Sequence, residues 1–189
     1  MALIHTDADL NPGKLELIAA WLPTQPWGAS GEATRLASYR FDDPAGEVGI
    51  ETFVVAVGDA VLQVPMTYRG TPLEGARPVG EMEHSVLGHR YVYDGATDPV
   101  YLDAVRQVVV AGGHEADWVT PDGTVLPRFR TSAAVSGLAT DPAAAAGTVE
   151  VVRRPLEDDA VSDADVVGTL TGTWTGQEQP IVLVRLRRG

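Results

Sequence analysis

Two short connections in the first third of the chain constrain its fold more than any other feature. Arg35–Phe41 and Val48–Val57 are separated by Asp42-Asp43-Pro44-Ala45-Gly46, and only Gly58-Asp59 stands between Val48–Val57 and Ala60–Tyr68. Links this short, made of Asp, Pro and Gly, turn the chain straight back, so the three runs read as successive antiparallel strands. Pro65 has no N–H to give a ladder, which places it at a sheet edge or a bulge. A loop bearing Gly and Pro, Gly70 to Gly80, then leads to a fourth extended segment over Met82–Tyr93.

Helical signals flank these strands. Asn11 suits an N-cap with Pro12 at the first helical position, which predicts a helix over about residues 12–22 with Leu15, Ile18, Ala19 and Leu22 on one face. Pro23 stops it, because the residue before a proline is pushed out of the α region. The second helix is marked more sharply. Asp98 is its N-cap, Pro99 its first residue, Leu102, Val105, Val108 and Val109 its apolar stripe, and Gly112-Gly113 its end.

Beyond residue 113 the chain reads as short strands and turns. A hairpin is expected over Val119–Val125, a helical turn or loop within Thr140–Gly147, and a strand over Val149–Arg153. The acidic segment Glu157–Asp165 precedes a last hairpin, Val166–Trp174 and Ile181–Leu186, turned at Gly176-Gln177. The order helix, strands, helix, strands implies an α+β fold: an antiparallel β-sheet with two main helices plus a C-terminal β-rich extension. The expected division is 1–112 and 113–189, packed as one globular unit because no flexible linker separates them.

Composition narrows the function classes. With 26 acidic against 14 basic residues, the net charge of −12 disfavours nucleic acid or an anionic membrane as partner. The absence of cysteine removes disulfides, thiolate metal sites and cysteine nucleophiles. The N-terminus has no basic region followed by an apolar run, and no apolar stretch approaches the roughly 20 residues of a membrane span. A soluble, cytoplasmic protein is the expectation.

A search for chemistry assigns no catalytic, cofactor-binding or metal-ligating residue. Glu81, Glu83, His84 and His89 lie close in sequence, but on a strand Glu81 and Glu83 share one face and His84 points the other way, so a solvated strand face is expected. His114, with Glu115 and Asp117 beside it, follows the second helix, where an imidazole complements the helix dipole. Asp158, Asp159, Asp163 and Asp165 lack the glycine and glutamate that a calcium loop needs at its sixth and twelfth positions. There is no G-x-S-x-G elbow, P-loop or G-x-G-x-x-G run.

One phrase ties the chain to known proteins. LELIAAWLPTQPW, with Trp21, Leu22, Pro23, Gln25 and Trp27, resembles the opening of the N-terminal cap domain of actinobacterial maltokinases. VLQVPMTYRG, at Val61–Gly70, is similar to a strand of that family with a proline after an apolar run. VLGHRYVYDGATDPVYLDAV is similar to its passage through a Tyr-Asp pair to an Asp-Pro helix start, matched by Gly88, Tyr93, Asp94, Asp98 and Pro99. The likeness spans about residues 12–112 and extends to small actinobacterial proteins, some labelled 1,4-alpha-glucan branching protein, that look like stand-alone caps.

The resemblance implies a non-catalytic binding or accessory protein of α-glucan, maltose or trehalose metabolism. The family's kinase region carries H-G-D and D-F-E-type phrases that do not occur in this chain. No cofactor is implied. A saccharide or a protein of that metabolism is the expected partner, and Trp27, Trp21, Tyr68, Tyr91 and Tyr93 are the candidate surface for it, with Trp21 packed and Trp27 outward. Two alternatives remain: a glycan-modifying enzyme with an unrecognised site, and a regulatory or assembly subunit of a separately encoded kinase or glucanotransferase.

Overall fold

The computed structural model describes residues 2–3, 8–120, 122–157 and 163–189. The chain runs through β1 (Ala2–Leu3), β2 (Leu10–Asn11), α1 (Lys14–Trp21), β3 (Thr34–Phe41), β4 (Gly49–Val57), β5 (Ala60–Arg69), β6 (Pro78–His84) and β7 (Gly88–Asp94). It continues through α2 (Pro99–Ala111), β8 (Trp118–Val119), β9 (Ala134–Ala139), β10 (Thr148–Val151), β11 (Val166–Trp174) and β12 (Gln177–Arg187). Three short 3-10 turns, one of them Pro142–Ala146, fill connections. The fold is α+β, dominated by antiparallel sheet.

A six-stranded sheet in the order β2-β6-β7-β5-β4-β3 forms the middle layer. The two short connections do act as hairpins: Phe41 pairs with Ile50 across one, and Val57 with Ala60 across the other. Both faces of this sheet are covered, so β4 is buried from Ile50 to Val55 and β5 from Leu62 to Tyr68. One face, with Phe53, Val55, Leu62, Val64 and Met66, packs on Leu17, Ile18, Trp21 and Leu22 from α1 and the turn after it. The other, with Tyr39, Phe41, Ile50 and Val54, packs on α2 through Tyr101, Val105 and Val109.

That second core continues into a four-stranded antiparallel sheet, β10-β12-β11-β9, through Val135, Leu170, Leu183 and Leu186. β11 shows the alternation expected of a half-buried strand: Leu170, Gly172 and Trp174 face inward while Thr169, Thr171 and Thr173 are only partly covered. β9 is a strand that the sequence conceals, since Ala134–Ala139 is made of small residues. Its smallness has a cause. A Cβ on Gly137 would stand 2.4 Å from the Val108 carbonyl oxygen, so α2 lies directly on this strand.

Several boundaries differ from expectation. The first helix starts at Lys14, not residue 12, and its N-cap is Gly13, because the Asn11 backbone pairs with Glu83 in β2–β6. The Glu16 carboxylate takes the Gly13 N–H at 2.6 Å. The supposed single segment Met82–Tyr93 is two strands, β6 and β7. The turn between them is held by His84 Nδ1, which accepts from the N–H groups of Val86 and Leu87, and by Gly88 at φ 73°. Pro65 lies where β7 stops: Met66 pairs with Asp94, and beyond it the β5 edge turns to the Arg153 carbonyl, which accepts from Gln63 N at 2.9 Å. The Thr120–Thr124 turn is formed, with Val119 bridged to Val125, while Pro121 lies outside the described residues.

Asp98 does more than cap α2. Its Oδ1 accepts from Val100 N (2.9 Å) and Arg69 Nη2 (2.7 Å), and its Oδ2 from Thr67 Oγ1 (2.7 Å) and Arg69 Nε (2.8 Å). Burial raises this carboxyl, but the hydrogen bonds from Arg69, Thr67 and Val100 outweigh it and hold its pKa below the usual value. Its stabilisation is therefore present above the unfolded-state value of about 3.9 and lost as pH falls through the lower native one. Asp98→Ala, which leaves the Arg69 guanidinium unpaired, is expected to cost about 3–5 kcal/mol in urea unfolding at neutral pH. A loss below about 1 kcal/mol would show that the cluster contributes little.

Candidate functional site

On the α1 face of the large sheet, a cleft of about 440 Å³ opens beside the β3–β4 turn. Asp43 shapes that turn: its carboxylate accepts from Ala45 N, Glu47 N and Val48 N at 2.9–3.0 Å, and Gly46 turns back at φ 72°. Met82 and Leu87 line it from β6 and the β6–β7 turn, while Phe41, Val48 and Ile50, whose side chains belong to the α2-side core, border it at the β3–β4 turn. Tyr68 also lines the cleft. Three cations enter it: Lys14 from the first turn of α1, Arg40 from β3 and Arg90 from β7.

Lys14 is already paired. Its Nζ lies 2.6 Å from Glu51 Oε2 and 5.1 Å from the centre of the Tyr68 ring. Burial pushes the Glu51 carboxyl up, but the charges of Lys14 and Arg40 and the Lys14 hydrogen bond win, leaving it below its ordinary value. Burial, reinforced by the Glu51 charge, raises the Tyr68 phenol well above 10.0, so it stays protonated.

Arg40 and Arg90 are different. The Arg40 guanidinium makes no hydrogen bond or ion pair among the described residues, and its Nε is withdrawn from solvent without a partner. Arg90 donates from Nη2 to the Leu87 carbonyl, and its Nε is likewise buried and unpartnered. Room for Arg90 comes from Gly70, where a Cβ would lie 2.8 Å from Nη1. Arg40 leans over β4, with its Nη2 3.8 Å from the position of a Cβ on Gly49.

The aromatic residues singled out from the sequence do not share one surface. Trp21 is packed in the α1 core, as expected. Trp27 is half-buried, 5.5 Å from the Trp21 ring, with the Arg153 guanidinium 4.4 Å over its face. Arg154 fixes the backbone there through the carbonyls of Trp27 and Gly28, both at 3.0 Å. Tyr68 alone of the five lines the cleft. Tyr91 stacks edge-on with His89, and Tyr93 is buried with its hydroxyl accepting from Leu73 N at 2.8 Å.

The polar clusters settle similarly. Glu81 and Glu83 share a face with His89, whose two ring nitrogens meet their carboxylates at 3.2 and 2.7 Å. His84 is on the other face. His114 Nδ1 lies 2.7 Å from the Glu115 carbonyl oxygen. Asp163 pairs with Arg187, while Asp158 and Asp159 lie outside the described residues. Among the described residues no group of three or more His, Asp or Glu is arranged to hold a metal ion, and no helix is long and apolar enough to cross a membrane.

Lys14, Arg40, Glu51 and Arg90 did not stand out in the sequence. The usable signal was Glu51 itself, a carboxylate inside the apolar run Gly49–Val57, which demands a cation close by. Lys14→Met removes that cation. The Glu51 carboxyl, which titrates below 4.5 in the native protein, is expected to move up in carbon-detected NMR, with a stability loss of about 3 kcal/mol at pH 7. An unmoved titration would mean that Lys14 is not what holds the carboxylate charged.

Residues 21–98 match the family model of the maltokinase N-terminal cap domain. Comparison with curated proteins and with solved structures finds no match. The matched segment begins at Trp21, runs through β3 to β7, and ends at the Asp98 cap of α2. It thus contains Arg40, Glu51, Tyr68 and Arg90, while Lys14 and all of α1 except Trp21 precede it. Over residues 21–98 this chain is similar to the maltokinase N-terminal cap domain.

Proposed function

We propose that this protein is a non-catalytic binding or accessory module of α-glucan, maltose or trehalose metabolism, with the cleft beside Tyr68 as its ligand site. The observation that carries this reading is the coincidence of the segment matched to the cap domain with a cleft where the Nε groups of Arg40 and Arg90 are buried without a partner. Its volume falls in the range of small-molecule sites, about 300–1,000 Å³. The metabolic assignment follows the family description alone.

Support for a binding role comes from the side chains lining the cleft. Among the described residues they include no serine, threonine or cysteine, and the charged pair Lys14–Glu51 is closed on itself. Asp43 has both oxygens committed to the turn. Such groups orient a ligand; they do not present an activated nucleophile with a base beside it.

Titration of the protein with maltose, trehalose, glucosamine and their phosphate esters, followed by thermal unfolding, tests the reading. A ligand at a hundred times its Kd adds about 2.7 kcal/mol and raises Tm by several degrees. At least one member of the panel is expected to do so, with no turnover of sugar or of added ATP. Silence across the whole panel at millimolar concentration overturns the reading, as does steady ATP consumption abolished by a cleft substitution.

A further inference from the structure

Basic side chains are scarce in this chain, and nearly all are paired. Lys14 and nine arginines form ion pairs among the described residues, including Arg69 with Asp98, Arg153 with Asp94 and Arg187 with Glu150. Four of the fourteen basic residues do not: Arg35, Arg40, Arg90 and Arg130. Arg35 and Arg130 are exposed, where water solvates a guanidinium at little cost. The other two are partly buried, and both line the one cleft.

An acid-rich chain that withholds carboxylates from two half-buried guanidiniums leaves a charge imbalance inside a pocket. The carboxylates at the same cleft do not correct it. Asp43 is consumed by its turn, Asp42 is itself engaged, Glu47 is exposed and Glu51 takes Lys14. Arg40 and Arg90 stand on the same face of the sheet, shown by their partners Glu51 and Met82 across the ladder. β3 and β7 are separated by β4 and β5, about 14 Å at the usual strand spacing, and Arg90 lies four residues along β7 from Asp94, which the register sets level with Arg40. Each arginine spans part of that gap, Arg40 toward Gly49 and Arg90 toward Gly70.

We infer that Arg40 and Arg90 together receive the phosphate group of a phosphorylated saccharide, whose sugar ring lies in the cleft beside Tyr68. Two unpaired positive charges match a phosphate monoester, which carries about −1.5 to −2 at neutral pH and offers three acceptor oxygens. A carboxylate, with one charge, is satisfied by a single guanidinium fork. The Tyr68 ring and the exposed Leu87 side chain supply the apolar surface for a sugar, and the exposed Glu47 carboxylate can accept from its hydroxyls. This ligand class rests on the binding reading above and sharpens it.

Calorimetric titration with glucose 1-phosphate, glucose 6-phosphate, glucose, glucuronate and inorganic phosphate tests the assignment, on the full chain and on Arg40→Gln, Arg90→Gln and Gly70→Ala. Arg35→Gln serves as the exposed control. A sugar phosphate is expected to bind at least tenfold more tightly than glucose or glucuronate. That preference should fall about tenfold or more in Arg40→Gln and in Arg90→Gln, fall in Gly70→Ala, and survive in Arg35→Gln. If Arg40→Gln unfolds because Glu51 loses a neighbouring charge, Arg90→Gln and Gly70→Ala decide the matter alone. Glucose binding as tightly as its phosphates, with Arg90→Gln unaffected, overturns the phosphate assignment and leaves the saccharide-binding reading standing. Tight inorganic phosphate with no gain from a sugar overturns the saccharide part, and no binding by any of the five overturns both.

Discussion

One buried carboxamide fastens the two sheets to each other. Gln63, on the central strand β5, donates from Nε2 to the carbonyls of Val152 (3.1 Å) and Leu183 (2.8 Å), and its Oε1 accepts from the Tyr39 hydroxyl at 3.1 Å. Its backbone N–H bonds Arg153 O as well. A glutamine in an apolar core costs free energy unless its polar atoms are met, and here the partners come from β3, from the segment after β10 and from β12. The arrangement follows from Pro65. Without an N–H at that point β7 cannot continue along β5, and the open edge is filled by residues 152–153. Those residues carry Arg153 to Asp94, at 2.6 Å, and over the Trp27 ring. A single proline thereby sets where the C-terminal half meets the N-terminal half.

The cleft depends on the same economy of polar groups. A carboxylate at position 51 is tolerated in a strand buried on both faces because Lys14 reaches it from α1. That contact also fixes the helix over the sheet and leaves Arg40 close to the pair without bonding it. Two cations against one carboxylate leave a positive charge in excess beside Glu51, and Arg90 over Gly70 adds a second.

Much of the fold was legible in the sequence because short turns and helix caps act over a few residues. The hairpins at Asp42–Gly46 and Gly58-Asp59, the Asp98-Pro99 helix start and the strand Val166–Trp174 all follow from such signals. What escaped reading was set by distant contacts. Gly13 caps α1 because Asn11 is held by β6, and β9 looks unlike a strand because α2 presses on Gly137. The Met82–Tyr93 segment hid its turn because a histidine ring, in place of the usual turn residues, satisfies the turn amides. The aromatic residues were easy to notice, and their rings went largely into the cores; the arginines of the cleft carry no local pattern at all. Glu51, a charge in the wrong company, was the one visible clue.

Coverage of the middle sheet has a bearing on the boundaries of the segment matched to the cap domain. Residues 21–98 supply every strand of that sheet except β2, yet the side of β3 and β4 that carries Tyr39, Phe41, Ile50 and Val54 is roofed by α2 and by strands after residue 134. Cut out alone, the segment would present a continuous greasy plane, interrupted by the Gln63 amide with its carbonyl partners gone. In this protein the roof is the α2–β12 half, and the matched stretch is better regarded as one slice of a layered body than as a bead on a string.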